Sequence, residues 1–121
     1  MIRALFTFLI FFSGLAFSAE PTPVTKQEIA HLFGYLKDSG CKFNRNGTWY
    51  TAEEAVNHLN KKYEYLLKKN LVYSTEDFIK RAATESSTSG KPYLVQCASN
   101  SPVQSGSWFK VELAKHRASR R

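Results

Sequence analysis

Cysteine is scarce in this sequence, which contains only Cys41 and Cys97 among its 121 residues. The two cysteines are not spaced as CxxC and have no histidine close by, which argues against a reactive or metal-binding pair. In an oxidising compartment, two cysteines in a small domain usually form one bridge. We therefore expect a structural disulfide between Cys41 and Cys97, and neither a metal nor a cofactor.

The sequence also lacks the complete motifs of several enzyme classes, although SSTSGKPY at residues 86–93 invites comparison with them. A penicillin-recognising nucleophile requires S-x-x-K, but Thr88 stands three residues before Lys91 and no K-T-G follows. A Walker loop requires an earlier glycine that is missing here, and no G-x-S-x-G elbow occurs. The stretch is predicted to be a hydroxyl-rich turn, which either binds a polar ligand or satisfies its own loop amides.

No apolar run is long enough to span a bilayer, since the run at residues 4–12 falls short of the about 20 residues that a spanning helix needs. Arg3 precedes this run and small residues follow it, which is the layout of a secretory signal peptide. Cleavage after Ser18 leaves small residues at both required positions, and no cysteine follows closely enough for a lipoprotein anchor. We predict a signal peptide at residues 1–18 and a periplasmic mature protein without a transmembrane segment.

Acidic residues are fewer than basic ones, with 10 against 17 in the whole sequence and a formal net charge of +7. Cleavage would remove one basic residue, Arg3, and leave +6. This balance favours an anionic small molecule, an envelope glycan or a periplasmic protein as partner, and export makes nucleic acid a poor candidate. The basic run KKYEYLLKK at residues 61–69 is either a surface for glycans or membranes or, more commonly for such runs, a solvated helix face.

The mature chain is long enough for one small domain with a modest core, and it shows no internal repeat or domain boundary. Residues 19–25 contain two prolines and are predicted to be a flexible N-terminal segment. The domain itself is predicted over residues 26–117, followed by a basic C-terminal tail at residues 118–121.

Capping signals predict the helices of this domain. Capping boxes at Thr25, Thr51 and Ser74 predict the starts of three helices, the first of them over residues 26–38. A last helix is predicted over residues 107–117, where apolar residues recur at helical spacing.

Turn and strand signals predict the sheet. Asn46-Gly47 between apolar residues indicates a β-hairpin, YLVQC at residues 93–97 indicates a third strand, and residues 98–107 are predicted to be a loop. The expected disulfide would join the hairpin to the third strand. The predicted fold is therefore α+β with the order α-β-β-α-α-β-α, a three-stranded antiparallel sheet packed by about four helices.

Arg45 and His58 are candidate binding residues. The hairpin turn explains its asparagine and glycine but not Arg45, which could bind a carboxylate or phosphate through two hydrogen bonds; the alternative is a surface ion pair with a glutamate. Glu54 precedes His58 by four residues and shares its helix face, as in some metal sites, but H-E-x-x-H is incomplete. A lone histidine at the edge of a buried stripe is more often a half-buried packing residue, so a metal role for His58 is the less favoured alternative.

The motifs F-N-R-N-G, E-A-V-N-H-L and S-S-T-S-G-K-P-Y make the chain similar to a known family. Over residues 26–117 it resembles the YfeK-like family of small exported bacterial proteins of unknown function. The resemblance implies a periplasmic setting, a single α+β domain and no known activity.

The resemblance also implies that the hairpin, the start of the second helix and the serine-rich turn face one another. A polar cleft is expected there, with a set of candidate ligand-binding residues: Arg45, Asn46, His58, Ser86, Ser87, Ser89, Lys91 and Tyr93. The expected function is that of a non-enzymatic binding or interaction module. The alternatives are a small periplasmic hydrolase that uses His58 and an envelope-surface protein that binds anionic lipid or glycan.

Overall fold

The computed structural model describes Thr7 and residues 20–121 of the chain. The rest of the predicted signal peptide and its cleavage site lie outside the described residues. Residues 20–121 form four helices and four strands in the order α1 (Pro23–Asp38), β1 (Lys42–Arg45), β2 (Thr48–Tyr50), α2 (Ala52–Lys68), α3 (Thr75–Ala82), β3 (Leu94–Gln96), β4 (Val103–Gln104) and α4 (Ser105–Ser119). The predicted α+β class is confirmed, because helices pack with an antiparallel sheet in one chain.

The sheet has the strand order β2-β1-β3-β4, and each neighbouring pair is antiparallel. The predicted hairpin is confirmed, since Asn46 and Gly47 have φ values of 53° and 84°, in the left-handed region that this turn requires. Cys41 and Cys97 form the expected disulfide, one beside the start of β1 and the other beside the end of β3.

The prediction of a three-stranded sheet is wrong, because part of the predicted loop at residues 98–107 pairs with β3. Leu94 faces Gln104 and Val95 faces Val103, which adds β4 as an edge strand. Both residues of β4 are exposed, so the two-residue strand carries no alternation of buried and exposed side chains that a sequence pattern could reveal.

The capping boxes at Thr51 and Ser74 are confirmed, with the side-chain and backbone hydrogen bonds of both boxes present. The box predicted at Thr25 is wrong, because α1 begins three residues earlier at Pro23 with Thr22 as its cap. Proline suits the first helical turn, since its missing N–H has no partner there in any case. Glu28, the expected reciprocal partner, is buried and bonds to other helices instead.

The last helix, α4, is longer than predicted and includes Gly106, which was assigned to the preceding loop. A Cβ at Gly106 would lie 2.9 Å from Thr84 Oγ1, closer than side chains pack. Glycine therefore permits the first turn of α4 to approach Thr84.

The core lies where α1 packs against the other three helices and where the central strands β1 and β3 meet them. Its largest fully buried apolar side chains come from every layer: Tyr93, Phe43, Phe78, Phe109, Ile29, Leu32, Leu36, Leu59, Ile79, Val72 and Val95. Within the described residues, no helix combines the length and apolar content needed to cross a membrane.

Candidate functional site

Three separate elements bring polar side chains together beside the hairpin. Arg45 ends β1, His58 lies on α2, and Tyr93 stands just before β3. Arg45 Nη1 lies 2.6 Å from His58 Nδ1, and His58 Nε2 lies 3.2 Å from the Tyr93 hydroxyl. The ring of Tyr93 is buried and packs at 5.1 Å from that of Phe43, so the core fixes the position of its hydroxyl.

Lys62 completes this cluster from the next turn of α2. Its ammonium donates to the Tyr93 hydroxyl at 3.0 Å and to the backbone carbonyl of Glu85 at 3.0 Å. The same ammonium lies 4.9 Å from the centroid of the Tyr93 ring, within cation–π range. The pKa of Lys62 is lowered to about 8, mainly by burial; the charge of Glu85 opposes this shift and the charge of Arg45 adds to it.

The hydrogen-bonding capacities of these groups define their proton arrangement. A guanidinium only donates, and Arg45 Nη1 lies 2.6 Å from His58 Nδ1 but 3.2 Å from Nε2. We assign the nearer nitrogen, Nδ1, as the acceptor, which places the proton of the neutral ring on Nε2. That Nε2–H donates to the Tyr93 oxygen, which also accepts from Lys62. Because the Tyr93 oxygen accepts both bonds, its own proton remains able to donate to a further acceptor.

The cluster is strongly electropositive. Burial, together with the nearby charges of Arg45, Lys62 and Lys61, lowers the pKa of His58 to about 4, so the imidazole is neutral at neutral pH. Burial raises the pKa of Tyr93, which keeps its hydroxyl protonated. Among residues 20–121, neither Arg45 nor Lys62 forms a salt bridge with a carboxylate.

The serine-rich turn is fastened to the hairpin by Asn46. The Asn46 amide donates to Ser86 Oγ at 3.2 Å, and its carbonyl oxygen accepts from the Ser89 hydroxyl. Ser86 Oγ, which is buried, also accepts from the backbone N–H groups of Thr88 and Ser89. Asn46, Ser86 and Ser89 are thus committed to holding the two loops together, and their polar atoms serve the fold.

A cavity of about 350 Å³ opens between the hairpin, α2 and this turn. We call it the cationic cleft and define it by its lining residues: Arg45, Asn46, His58, Lys62, Ser86, Ser87, Thr88 and Tyr93. Six of the eight candidate ligand-binding residues line it, and a seventh, Ser89, donates a hydrogen bond to Asn46 at its edge. Lys91 does not line the cleft, and the contacts that tie it to the turn are made by its backbone N–H and carbonyl.

Sequence reasoning missed Lys62 and Thr88 as residues of this cleft. Lys62 lies four residues after His58, a spacing that shares one helix face, but Lys61 stands three residues after His58 and shares that face as well. The partners of Lys62 lie 23 and 31 residues away, so the sequence offered no local reason to single out this lysine from its basic run.

Glu54 and His58 share a helix face, as in some metal sites, but the two side chains are not bonded to each other in the structure. Glu54 Oε1 accepts hydrogen bonds from the backbone N–H and hydroxyl of Thr51, which commits the carboxylate to the capping box. Over the part of the chain that is described, no three His, Cys, Asp or Glu side chains are grouped to hold a metal ion.

The fold and the cleft define a class: a small disulfide-linked α+β domain with a cleft that presents hydrogen-bond donors and positive charge. Residues 23–117 match a family of unknown function, DUF5329, and the chain belongs to this family. No curated protein matches the chain, and no solved structure does.

Proposed function

We propose that this protein is an exported, non-enzymatic binding module whose cationic cleft binds an oxyanion, a carboxylate or a phosphate group. The observation that carries the proposal is the chain of contacts that holds two cations together: Arg45 bonds to His58, and His58 and Lys62 both bond to the Tyr93 hydroxyl. Among residues 20–121 neither cation forms a salt bridge with a carboxylate. Two cations held close together repel each other, and an anion between them would remove that cost.

The donors of the cleft suit an oxygen-rich anion. Arg45 uses one N–H of Nη1 on His58 and one of Nη2 on the Tyr50 hydroxyl, which leaves three of its five N–H donors for a carboxylate or phosphate. Lys62 adds a second charged donor, Tyr93 a hydroxyl, and the exposed Ser87 and Thr88 add hydroxyls at the rim. All of these groups can donate at neutral pH, so an acceptor-rich ligand is the complement of this surface.

The geometry does not favour the hydrolase alternative. Nδ1 of His58 accepts from Arg45, and a ring with a pKa of about 4 is a weak base at neutral pH. The hydrogen-bond partners of the ring are Arg45 and Tyr93, so no serine hydroxyl is held where His58 could activate it. In this proposal His58 is a neutral spacer that positions Arg45 and Tyr93.

Export and kinship with the YfeK-like proteins belong to this proposal. The layout of residues 1–18 as a signal peptide supports export, and a disulfide is a bond that persists in an oxidising compartment such as the periplasm. A periplasmic setting would expose the cleft to anionic nutrients, envelope glycans and lipid head groups, each of which carries carboxylate or phosphate groups.

The proposal is tested by titrating the purified protein with sulfate and with acetate while following its amide and side-chain NMR signals. We expect saturable shifts at Arg45, His58 and Tyr93. Replacing one charged donor should cost about 1.5 kcal/mol or more, so Arg45→Gln should weaken binding by roughly tenfold. Lys91→Gln is the matched control, because it removes one positive charge from the serine-rich turn outside the cleft.

Equal weakening by Arg45→Gln and Lys91→Gln would show that anions respond only to the overall charge, and the proposal would then be wrong. The absence of saturable shifts in the wild-type protein would also contradict it. Thermal unfolding of both variants, followed by circular dichroism, checks that each retains the fold.

A further inference from the structure

We infer that the ligand of the cationic cleft is an acidic oligosaccharide, bound along a groove on α2 that extends the cleft in both directions. The inference rests on the proposed function, because the anionic group of one sugar unit would occupy the cleft. It adds the chemical class of the ligand and further contact residues.

The groove consists of three cavities that share His58 as a lining residue. The first lies toward the start of α2 and includes Tyr50 and Lys61, and the second is the cationic cleft. The third, of about 520 Å³, lies toward the end of α2 and includes Tyr65 and Arg81. One face of α2 forms the floor, because the lining residues recur at helical spacing: His58, Lys61, Lys62, Tyr65 and Leu66.

The length of the groove exceeds what a single small anion needs. From His58 to Leu66 the helix axis advances about 12 Å at 1.5 Å per residue. The three cavities adjoin one another along this distance. The first cavity and the cationic cleft have Arg45 and His58 in common, and the cleft and the third cavity have His58, Lys62 and Ser87 in common. A linear ligand of several units fits such a groove better than an isolated carboxylate or phosphate.

The charge of the groove is complementary to a polyanion. Its four lining cations are spread over the three cavities: Arg45, Lys61, Lys62 and Arg81. Glu54 is the acidic residue among the residues that line these three cavities, and its carboxylate is bonded within the capping box. Evenly spread cations favour a ligand that carries an anionic group on successive units.

Aromatic rings stand at both ends of the groove and favour a glycan over an acidic peptide. Tyr50 lines the first cavity, with the Arg45 guanidinium 5.0 Å from its ring centroid. Tyr65 lines the third cavity and is 59% exposed, a large apolar area for a surface side chain. The C–H faces of pyranose rings pack on exposed tyrosines, whereas an acidic peptide would use only the charges.

The test compares oligogalacturonate hexamer with galacturonate monomer by isothermal titration calorimetry. We expect the hexamer to bind at least tenfold more tightly than the monomer, a difference of about 1.4 kcal/mol. Tyr65→Ala should remove most of this gain and leave sulfate binding unchanged, because Tyr65 lies outside the cationic cleft. Tyr73→Ala is the matched control, since Tyr73 is similarly exposed, at 65%, and lines none of the three cavities.

Equal affinities for the galacturonate monomer and hexamer would contradict oligosaccharide binding along the groove, even if sulfate binds in the cationic cleft. Hexaglutamate could also bind as tightly as hexagalacturonate, with an affinity that Tyr65→Ala leaves unchanged. That result would contradict a glycan ligand and favour an acidic peptide. A protein that binds neither sulfate nor galacturonate would contradict the proposed function itself, so the two failures are distinguishable.

Discussion

Lys62 is the residue whose protonation should control anion binding near neutral pH. Its pKa is lowered to about 8, mainly by burial, with Glu85 opposing the shift and Arg45 adding to it, so a fraction of Lys62 is already neutral at physiological pH. The free cleft loses a charged donor when Lys62 deprotonates. If the charged form is required, sulfate affinity should fall by roughly tenfold for each pH unit above 8.

The variant Lys62→Arg supplies the control for this pH dependence. An arginine stays charged throughout this range, so its sulfate affinity should be flat between pH 7 and pH 10. The measurement is sulfate titration at each pH by NMR. A decline that persists unchanged in Lys62→Arg would assign the titration to another group and contradict the role of Lys62.

Individual residues also show why the site was only partly predictable. Asn46 and Gly47 were identified correctly because the turn they form is set by their own backbone preferences. The second role of Asn46, in holding Ser86, depends on a contact across 40 residues that no local pattern encodes. Lys62 was overlooked for the same reason, since burial and Tyr93 distinguish it from the other lysines of its run only after folding.

The helix starts also show that signals set by neighbouring residues were predictable, whereas those that depend on tertiary contacts were not. The boxes at Thr51 and Ser74 are closed by their own N3 residues, Glu54 and Asp77, three positions along the chain. The box at Thr25 fails because its N3 residue, Glu28, bonds to Arg117, which is 89 residues away. A guanidinium provides a stronger partner for a buried carboxylate than a backbone N–H, so tertiary structure overrode the local signal.

Glu28 joins three helices and should make the stability of the protein depend on acid. On α1, it accepts hydrogen bonds from Thr75 at the start of α3 and from Arg117 and Arg120 at the end of the chain. The hydrogen bond from Arg117 is the main cause that holds the pKa of Glu28 at about 2, against 4.5 for an ordinary glutamate.

The sign of the effect follows from this lowered pKa. Above pH 4.5 the carboxylate is ionised in both the folded and unfolded states, and its full stabilisation is present. As pH falls from 4.5 to 2, the unfolded chain binds a proton that the folded protein excludes, so stability is lost. The loss attributable to Glu28 is of the order of 3 kcal/mol.

Glu28→Gln should therefore lower the free energy of unfolding by about 3 kcal/mol at pH 7, because it removes the buried carboxylate to which Thr75, Arg117 and Arg120 all donate. It should also flatten the dependence on pH between 4.5 and 2. Glu76→Gln is the matched control: Glu76 contacts the same Arg117, but its side chain is 51% exposed, so its loss should cost less than about 1 kcal/mol. Urea unfolding at several pH values measures both variants, and equal costs would contradict the buried role of Glu28.

Three kinds of cross-link join the hairpin to the segment that contains the serine-rich turn and β3. The strands β1 and β3 pair directly, Asn46 bonds to Ser86, and the disulfide joins Cys41 to Cys97. Arg45 and Tyr93 lie on opposite sides of this junction, so the junction determines the geometry of the cationic cleft. In the sequence, the strand pairing and the Asn46–Ser86 bond lie nearer to the cleft residues than the two cysteines do. We therefore expect the noncovalent links to hold the cleft in shape and the disulfide to affect only the stability of the fold.

The disulfide should contribute to stability without being needed for binding. It closes a loop with a sequence separation of 56 residues. In the chain-entropy model, restricting the unfolded chain by a loop of this length stabilises the fold by about 4 kcal/mol. The double variant Cys41→Ser/Cys97→Ser should lose about this amount in urea unfolding, and the wild-type protein should lose the same amount in reducing buffer. Because β1 and β3 remain paired, the folded variant should bind sulfate with unchanged affinity.

If reduction weakens sulfate binding under conditions where the protein stays folded, the disulfide itself shapes the cleft and this separation of roles is wrong.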